Sequence, residues 1–189
     1  MANVDAAFGL TPVRHLSGNG YSRANKYTIT SGLAENIFTG DLVIITADGV
    51  ITPHSATEVN NIGVFAGVSY TASDGSYVYS QYFPTGTTAT NIVAYVYDDP
   101  YIVYKVQSDG TVAQTNIGNC ADVVAGAGST VTGQSGFELN SSMGTGANCC
   151  KSDEQLTGNL TLNRERYVDK DGKVQYRDVT PNSCAATVG

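Results

Sequence analysis

An all-β protein, a small β-barrel or sandwich, is the fold class this sequence predicts, and three observations predict it. Between Ile37 and Tyr70 the chain reads IFTGDLVIITADGVITPHSATEVNNIGVFAGVSY, in which Leu42 to Thr46 and Val50 to Thr52 are strand-like runs joined by Ala47-Asp48-Gly49. Asp-Gly between β-branched runs is a strong short-range hairpin signal. The 21 glycines and 12 tyrosines, with no tryptophan, suit many turns and semi-exposed strand faces. Strand-like runs also recur in close order from residue 26 to residue 107, with turn residues between them, which is the spacing of a sandwich or barrel.

Taken in order, residues 1–25 form an extended N-terminal arm. Phe8, Leu10, Val13 and Leu16 are spaced between polar residues, with Gly9, Pro12, Gly18 and Gly20 interrupting any regular element. Such a segment buries no core alone, so it lies along its own domain or docks on a neighbour. Residues 26–140 are the β-barrel or sandwich core. Its strands are expected at Lys26 to Thr30, Leu42 to Thr46, Val50 to Thr52, Ile62 to Tyr70, Tyr77 to Phe83, Ile92 to Tyr97 and Tyr101 to Gln107. In Tyr77 to Phe83, Tyr77, Tyr79 and Phe83 fall on one face and Ser80 and Tyr82 on the other, the pattern of a half-buried strand. Ile92 to Tyr97 is apolar on both faces, as a central strand or one at a subunit contact would be. Tyr101 to Gln107 alternates, with Ile102, Tyr104 and Val106 inward.

Asp98-Asp99-Pro100 turns between those last two strands, because proline presets a turn dihedral and aspartate bonds back to the backbone. Residues 116–136 are rich in glycine and small residues, a long surface loop carrying short strands, and Phe137 to Asn140 closes the main sheet. Residues 141–189 are a C-terminal extension. A short helix is expected around Cys149 to Gln155, and a second hairpin turns at Asp171-Gly172.

Composition narrows the function. At 189 residues the chain makes one well-buried core. The formal charge of −7 and pI near 4.6 argue against nucleic acid, which is bound by clustered Lys and Arg. The densest basic group, Arg164, Arg166, Lys170, Lys173 and Arg177, is interleaved with Glu165, Asp169, Asp171 and Asp178 and carries no net positive field. No apolar run approaches the roughly 20 residues that span a bilayer, so no membrane is expected as a partner. MANVDAAFGLTPVRHL has neither the basic leader nor the apolar core of a secretory signal, which points to assembly in a cytoplasm, with Cys120, Cys149, Cys150 and Cys184 as free thiols.

The chemistry-bearing residues are few. Asp169-Lys170-Asp171-Gly172 has the acidic start and glycine of a calcium loop but lacks the intervening ligand and the closing glutamate, Asp178 standing there instead. Asp98 and Asp99 are consecutive, hence on opposite faces of a strand and poorly placed to share a proton or metal. His15 and His54, the two histidines, lie in the arm and in a loop, with none of the paired Cys and His spacings of a zinc site. The glycine-rich run at 126–136 lacks the lysine of a phosphate loop. No catalytic residue, metal ligand or cofactor is assigned, and the expectation is a binding protein rather than an enzyme.

A resemblance gives that expectation content. The arm MANVDAAFGLTPVRHLSG, then FTGDLVIIT, DGVIT, NNIGVFAGVSYT, YFPTGT and VAYVYDDPYIVYKVQ, in this order, resemble the capsid decoration proteins of tailed bacteriophages, also called cement or head-stabilising proteins. The match covers most of residues 1–140; beyond Asn140 the chain departs from the pattern. The resemblance implies a small β-barrel, often a homotrimer, bound to the capsid exterior of the virion and bridging subunits of the major capsid protein. Phe8, Leu10, Pro12 and Val13 are then the expected capsid contacts. The alternative is a virion-displayed carbohydrate-binding or host-attachment module whose Tyr70, Tyr82 and Tyr101 stack on sugars. A hydrolase using Asp98 or Asp99 is the third reading, with no base or metal partner visible for either.

Overall fold

The computed structural model describes residues 6–18, 23–55, 61–116 and 119–142, together with the backbone of five strands beyond them. In chain order the strands are Thr11–His15 (β1), Asn25–Tyr27 (β2), Ile37–Phe38 (β3), Leu42–Ile45 (β4), Ile51–Pro53 (β5) and Asn61–Ala72 (β6). Tyr77–Ser80 (β7), Tyr82–Phe83 (β8), Ala89–Tyr97 (β9) and Ile102–Lys105 (β10) follow. After a single 3-10 turn at Gln114–Asn116 come Cys120–Ala121 (β11), Val123–Val124 (β12) and Glu138–Leu139 (β13). The five strands known by their backbone are Cys150–Lys151 (β14), Asn159–Leu162 (β15), Arg164–Val168 (β16), Val174–Asp178 (β17) and Cys184–Thr187 (β18).

The chain is all-β and sandwich-like; among the described residues no sheet closes into a barrel. One sheet has the order β2-β9-β6-β4-β5, with β7 also on β6, and a second runs β1-β10-β15-β18-β14-β11. Short antiparallel pairs, β3 with β8, β12 with β13 and β16 with β17, complete the fold.

The Asp48-Gly49 hairpin forms as its residues dictate. Ile45 faces Ile51, Thr46 N–H donates to the Val50 carbonyl at 2.9 Å, and Gly49 N–H closes the turn on the Thr46 carbonyl at 3.0 Å. Gly49 takes the left-handed conformation at φ 76°, where a side chain would be strained. Asp74-Gly75 repeats the device between β6 and β7, with the Asp74 carboxylate accepting from the Ser76 amide and hydroxyl at 2.8 and 2.6 Å. Those two bonds hold the Asp74 carboxyl below its ordinary range.

Strand alternation explains why β4 and β6 are apolar on both faces. Leu42 and Val64 enter one core with Leu10, Ile102, Tyr104, Val106, Phe137 and Leu139. Their neighbours Val43 and Phe65 enter the other, with Ile29, Ile37, Ile51, Val68, Phe83 and Val96. The β4–β6 pair is therefore a shared wall between two clusters. Strand β9, between β2 and β6, is the central strand that its two apolar faces predicted. Ile102, Tyr104 and Val106 enter the core as expected, although Val103 between them is buried too.

Four elements differ from expectation, the first being Phe137 to Asn140, which does not close the main sheet: its strand Glu138–Leu139 pairs with β12 in a separate two-stranded sheet. Lys26 to Thr30 leaves the ladder after Tyr27, because Ile29 turns into the core at 2% exposure while the Thr28 carbonyl accepts from Ile51 N–H at 2.9 Å. The single strand expected from Tyr77 to Phe83 breaks at Gln81, its first half pairing with β6 and its second with β3. The break reverses the facing: Phe83 is fully buried, whereas Tyr77 and Tyr79 are 70% and 66% exposed. Where a short helix was expected around Cys149, the backbone at Cys150–Lys151 is extended and pairs with β11 and β18. The C-terminal hairpin pairs as expected, Val168 facing Val174, while its Asp171-Gly172 turn and the cysteine side chains lie outside the described residues.

Candidate functional site

The arm lies along its own domain. Leu10 N–H donates to the Gly40 carbonyl at 2.9 Å where the arm crosses the corner between β3 and β4. The crossing is so close that a Cβ on Gly9, at φ 69°, would stand 2.4 Å from the Ser135 Cβ and 2.8 Å from the Gly40 oxygen. Beyond it β1 pairs antiparallel with β10, Pro12 facing Tyr104 and Arg14 facing Val103. Val13 is the extra residue between them, a β-bulge, and a bulge re-aims the side chain it carries. Val13 is accordingly 56% exposed, and Leu16, whose N–H donates to the Tyr101 carbonyl at 2.9 Å, is 45% exposed.

The Asp98-Asp99-Pro100 turn secures this edge. Asp98 accepts from Asn25 Nδ2 at 2.8 and 3.0 Å and from the Tyr27 hydroxyl at 2.6 Å, tying β2 to the end of β9. Asp99 points elsewhere, its Oδ1 accepting from Tyr101 N–H at 2.9 Å and its Oδ2 meeting His15 Nε2 at 3.1 Å. Ser17 N–H donates to His15 Nδ1 at 3.2 Å, so Nδ1 is an acceptor and Nε2 carries the proton toward Asp99. Below the turn the buried Tyr104 hydroxyl donates to the Tyr97 carbonyl at 3.1 Å. Burial pushes the Tyr104 phenol well above its ordinary value, and Tyr97, Asp98 and Asp99 push it further, so it remains a donor.

Two concavities flank the arm crossing. A groove of about 380 Å³ between arm and sheet is lined by Phe8, Leu10, Pro12, Tyr79, Gln81, Tyr97 and Gln134 among others. Lys105 Nζ sits 5.6 Å from the Phe8 ring centroid, within cation–π range. The other is a cavity of about 320 Å³ under the glycine-rich loop, lined by Phe38, Asp41, Pro53, His54, Gly128 and Phe137 among others. Asp41 is 2% exposed and its Oδ2 accepts from Phe38 N–H at 2.7 Å, but its Oδ1 has no hydrogen-bond partner among the described residues. Burial raises its carboxyl to about 6, against the opposing pull of the Phe38 amide and of the Ser135 hydroxyl.

The expected contact residues therefore separate. Val13 faces outward and Phe8 and Pro12 are half-buried, but Leu10, at 1% exposure, belongs to the chain's own core. Of the tyrosines expected to stack on sugars, Tyr70 is buried edge-on against Phe83 and Tyr82 lies stacked on Phe38 at 5.4 Å, leaving Tyr101 at 37% exposure. Sequence reasoning missed Tyr77 and Tyr79 as surface tyrosines, because the break at Gln81 has no proline or glycine to announce it. It gave no sign that Asp41 is buried, because an aspartate after Gly40 and before a strand reads as an ordinary turn residue. Asp98 and Asp99 are turn residues with separate partners, and among the described residues no three of His, Cys, Asp and Glu gather as metal ligands would. No helix among the described residues is long and apolar enough to cross a membrane. No family model, curated protein or solved structure matches the chain.

Proposed function

We propose that this chain is a structural protein of a tailed-bacteriophage virion, a cement or decoration protein that binds the capsid exterior and bridges subunits of the major capsid protein, acting as a homotrimer. The reading rests on the sequence resemblance, and the observation that best supports it is the strapped arm. Val13 and Leu16 are apolar, exposed and held on a strand by β10 rather than carried on a loose tail. A preordered apolar edge loses little conformational entropy on docking, which favours a shell ligand. A protein that binds only the assembled lattice then stabilises it by mass action. Phe8, Pro12 and Val13 remain as contacts, Leu16 and Tyr101 join them, and Leu10 acts by holding the arm down. The double substitution Val13→Asp and Leu16→Asp is expected to abolish co-sedimentation with mature shells while leaving the thermal midpoint of the free protein nearly unchanged. Full capsid occupancy by the double variant would overturn the reading.

A second reading, a carbohydrate-binding or host-attachment module, is favoured by the exposed Tyr77 and Tyr79, the latter lining the groove with Gln81 and Gln134. Aromatic stacking with neutral amide bonding suits a sugar. Binding on a glycan array that is lost in Tyr77→Ser and Tyr79→Ser, with capsid occupancy unaffected, would separate it from the first.

A further inference from the structure

We propose that strand β7 is a contact for a second copy of this chain, the two Tyr77–Ser80 edges pairing antiparallel about a twofold axis at Val78. The inference does not depend on the capsid reading. Strand β7 pairs with β6 on one side, and among the described residues no strand pairs with its other side. The hairpin fixes which groups that side presents. Ala72 N–H donates to the Ser76 carbonyl at 2.8 Å, and the register then runs without a shift through Thr71↔Tyr77, Tyr70↔Val78 and Ser69↔Tyr79. Antiparallel pairs alternate between bonded and non-bonded, so Val78 spends its main-chain groups on β6, whereas Tyr77 and Tyr79 aim theirs outward. The edge thus offers two N–H donors and two carbonyl acceptors.

Open edges are ordinary where they are blunted, and the other edges of this sheet are. Strand β2 carries the exposed Lys26, while β5 ends in Pro53 and gives its Ile51 N–H to the Thr28 carbonyl at 2.9 Å. From Ser76 to Tyr82 the sequence is SYVYSQY, with no charge, proline or glycine. It is also self-complementary. With Tyr77 opposite the partner's Tyr79, and Tyr79 opposite the partner's Tyr77, every outward group on both edges is bonded and two tyrosine pairs form on the exposed face. A register centred on Tyr79 would recruit Gln81, where the strand breaks and the carbonyl accepts from the Thr39 hydroxyl. One centred on Tyr77 would run into the Asp74-Gly75 turn. Val78, half-buried against the core, holds the strand down from its other face, so the exposed Tyr77 and Tyr79 stand on a fixed edge.

A four-residue edge makes a small interface, of the transient class. Sedimentation velocity on the full chain, from micromolar to millimolar concentration, tests it. A reversible doubling of the mass is expected, whatever the smaller species is. Over the same range, deuterium exchange at the Tyr77 and Tyr79 amides should slow about tenfold while exchange in β2 stays as it was. Tyr77→Lys with Tyr79→Lys should abolish the doubling, because lysine then faces lysine, and so should Tyr77→Glu with Tyr79→Glu. Mixing the two double variants should restore it, since opposite charges then meet, a result that loss of folding could not produce. A mass independent of concentration, unchanged association in the lysine variant, or no recovery on mixing two folded variants would overturn the proposal. If either double variant does not fold, exchange in the wild type decides: slowing at Tyr77 and Tyr79 supports the pairing, and its absence there overturns it.

Discussion

Asp41 has surrendered its water for one amide bond, and the deficit makes a measurable signature. Its carboxyl titrates at about 6 in the folded chain against 3.8 for an ordinary aspartate, so the native state takes up a proton at a higher pH than the unfolded state does. The stability gained from that proton is fully present below pH 3.8 and is lost as pH rises through about 6. Holding the proton that much more tightly is worth about 3 kcal/mol, an upper figure for this one group. Asp41→Asn, which keeps an oxygen for Phe38 N–H and carries no charge, is expected to raise unfolding free energy at pH 8 by about 1–2 kcal/mol. It should also flatten the contribution between pH 4 and 6, as urea unfolding across that range would record. Tyr104 presents the opposite case, a buried polar atom with its bond made. Tyr104→Phe removes the donor to the Tyr97 carbonyl and should cost about 1–2 kcal/mol, by the same measurement.

At the scale of elements, the arm depends on two glycines that pass at close range, Gly9 and Gly40. Gly9→Ala combines left-handed backbone strain with a collision against Ser135 and Gly40, and is expected to destabilise the chain by about 2–4 kcal/mol. Gly18→Ala has a similar φ of 82° but open space around it, so it should cost about 1 kcal/mol, from the backbone alone. Comparing the two variants by denaturant midpoint isolates the crossing. Much of the strand set was legible beforehand for local reasons. The Asp48-Gly49 hairpin, the doubly apolar β9 and the alternating β10 carry their signals within a few residues. The break at Gln81 was not legible, because its cause lies in two other strands: β6 holds Tyr77–Ser80 and β3 holds Tyr82–Phe83. A period-2 reading assumes one sheet throughout and so put Tyr77 on the same face as Phe83. Likewise the candidate contacts Phe8, Leu10, Pro12 and Val13 could be marked as apolar, but which of them points outward was decided by a bulge set by pairing with β10.

For the molecule as a whole, the arm is at once surface and core. Removing residues 1–18 would strip Leu10 from its cluster, at about 1.5–3 kcal/mol, and bare the edge of β10 as a template for aggregation. The truncated chain is therefore expected to melt earlier and to aggregate on heating, read by scanning calorimetry with light scattering. Loss of capsid binding in that truncation would report unfolding as much as lost contacts, which is why surface substitutions at Val13 and Leu16 are the sharper probe. The same closure sets an order of events in time. His15 meets Asp99, 84 positions further along, so during synthesis the arm emerges long before the strand that receives it. Until β10 is made, Val13 and Leu16 have no scaffold, and the edge that the mature protein presents does not exist. Pairing at such separation is slow compared with hairpin closure, so β1 is expected to close only after the local hairpins have formed.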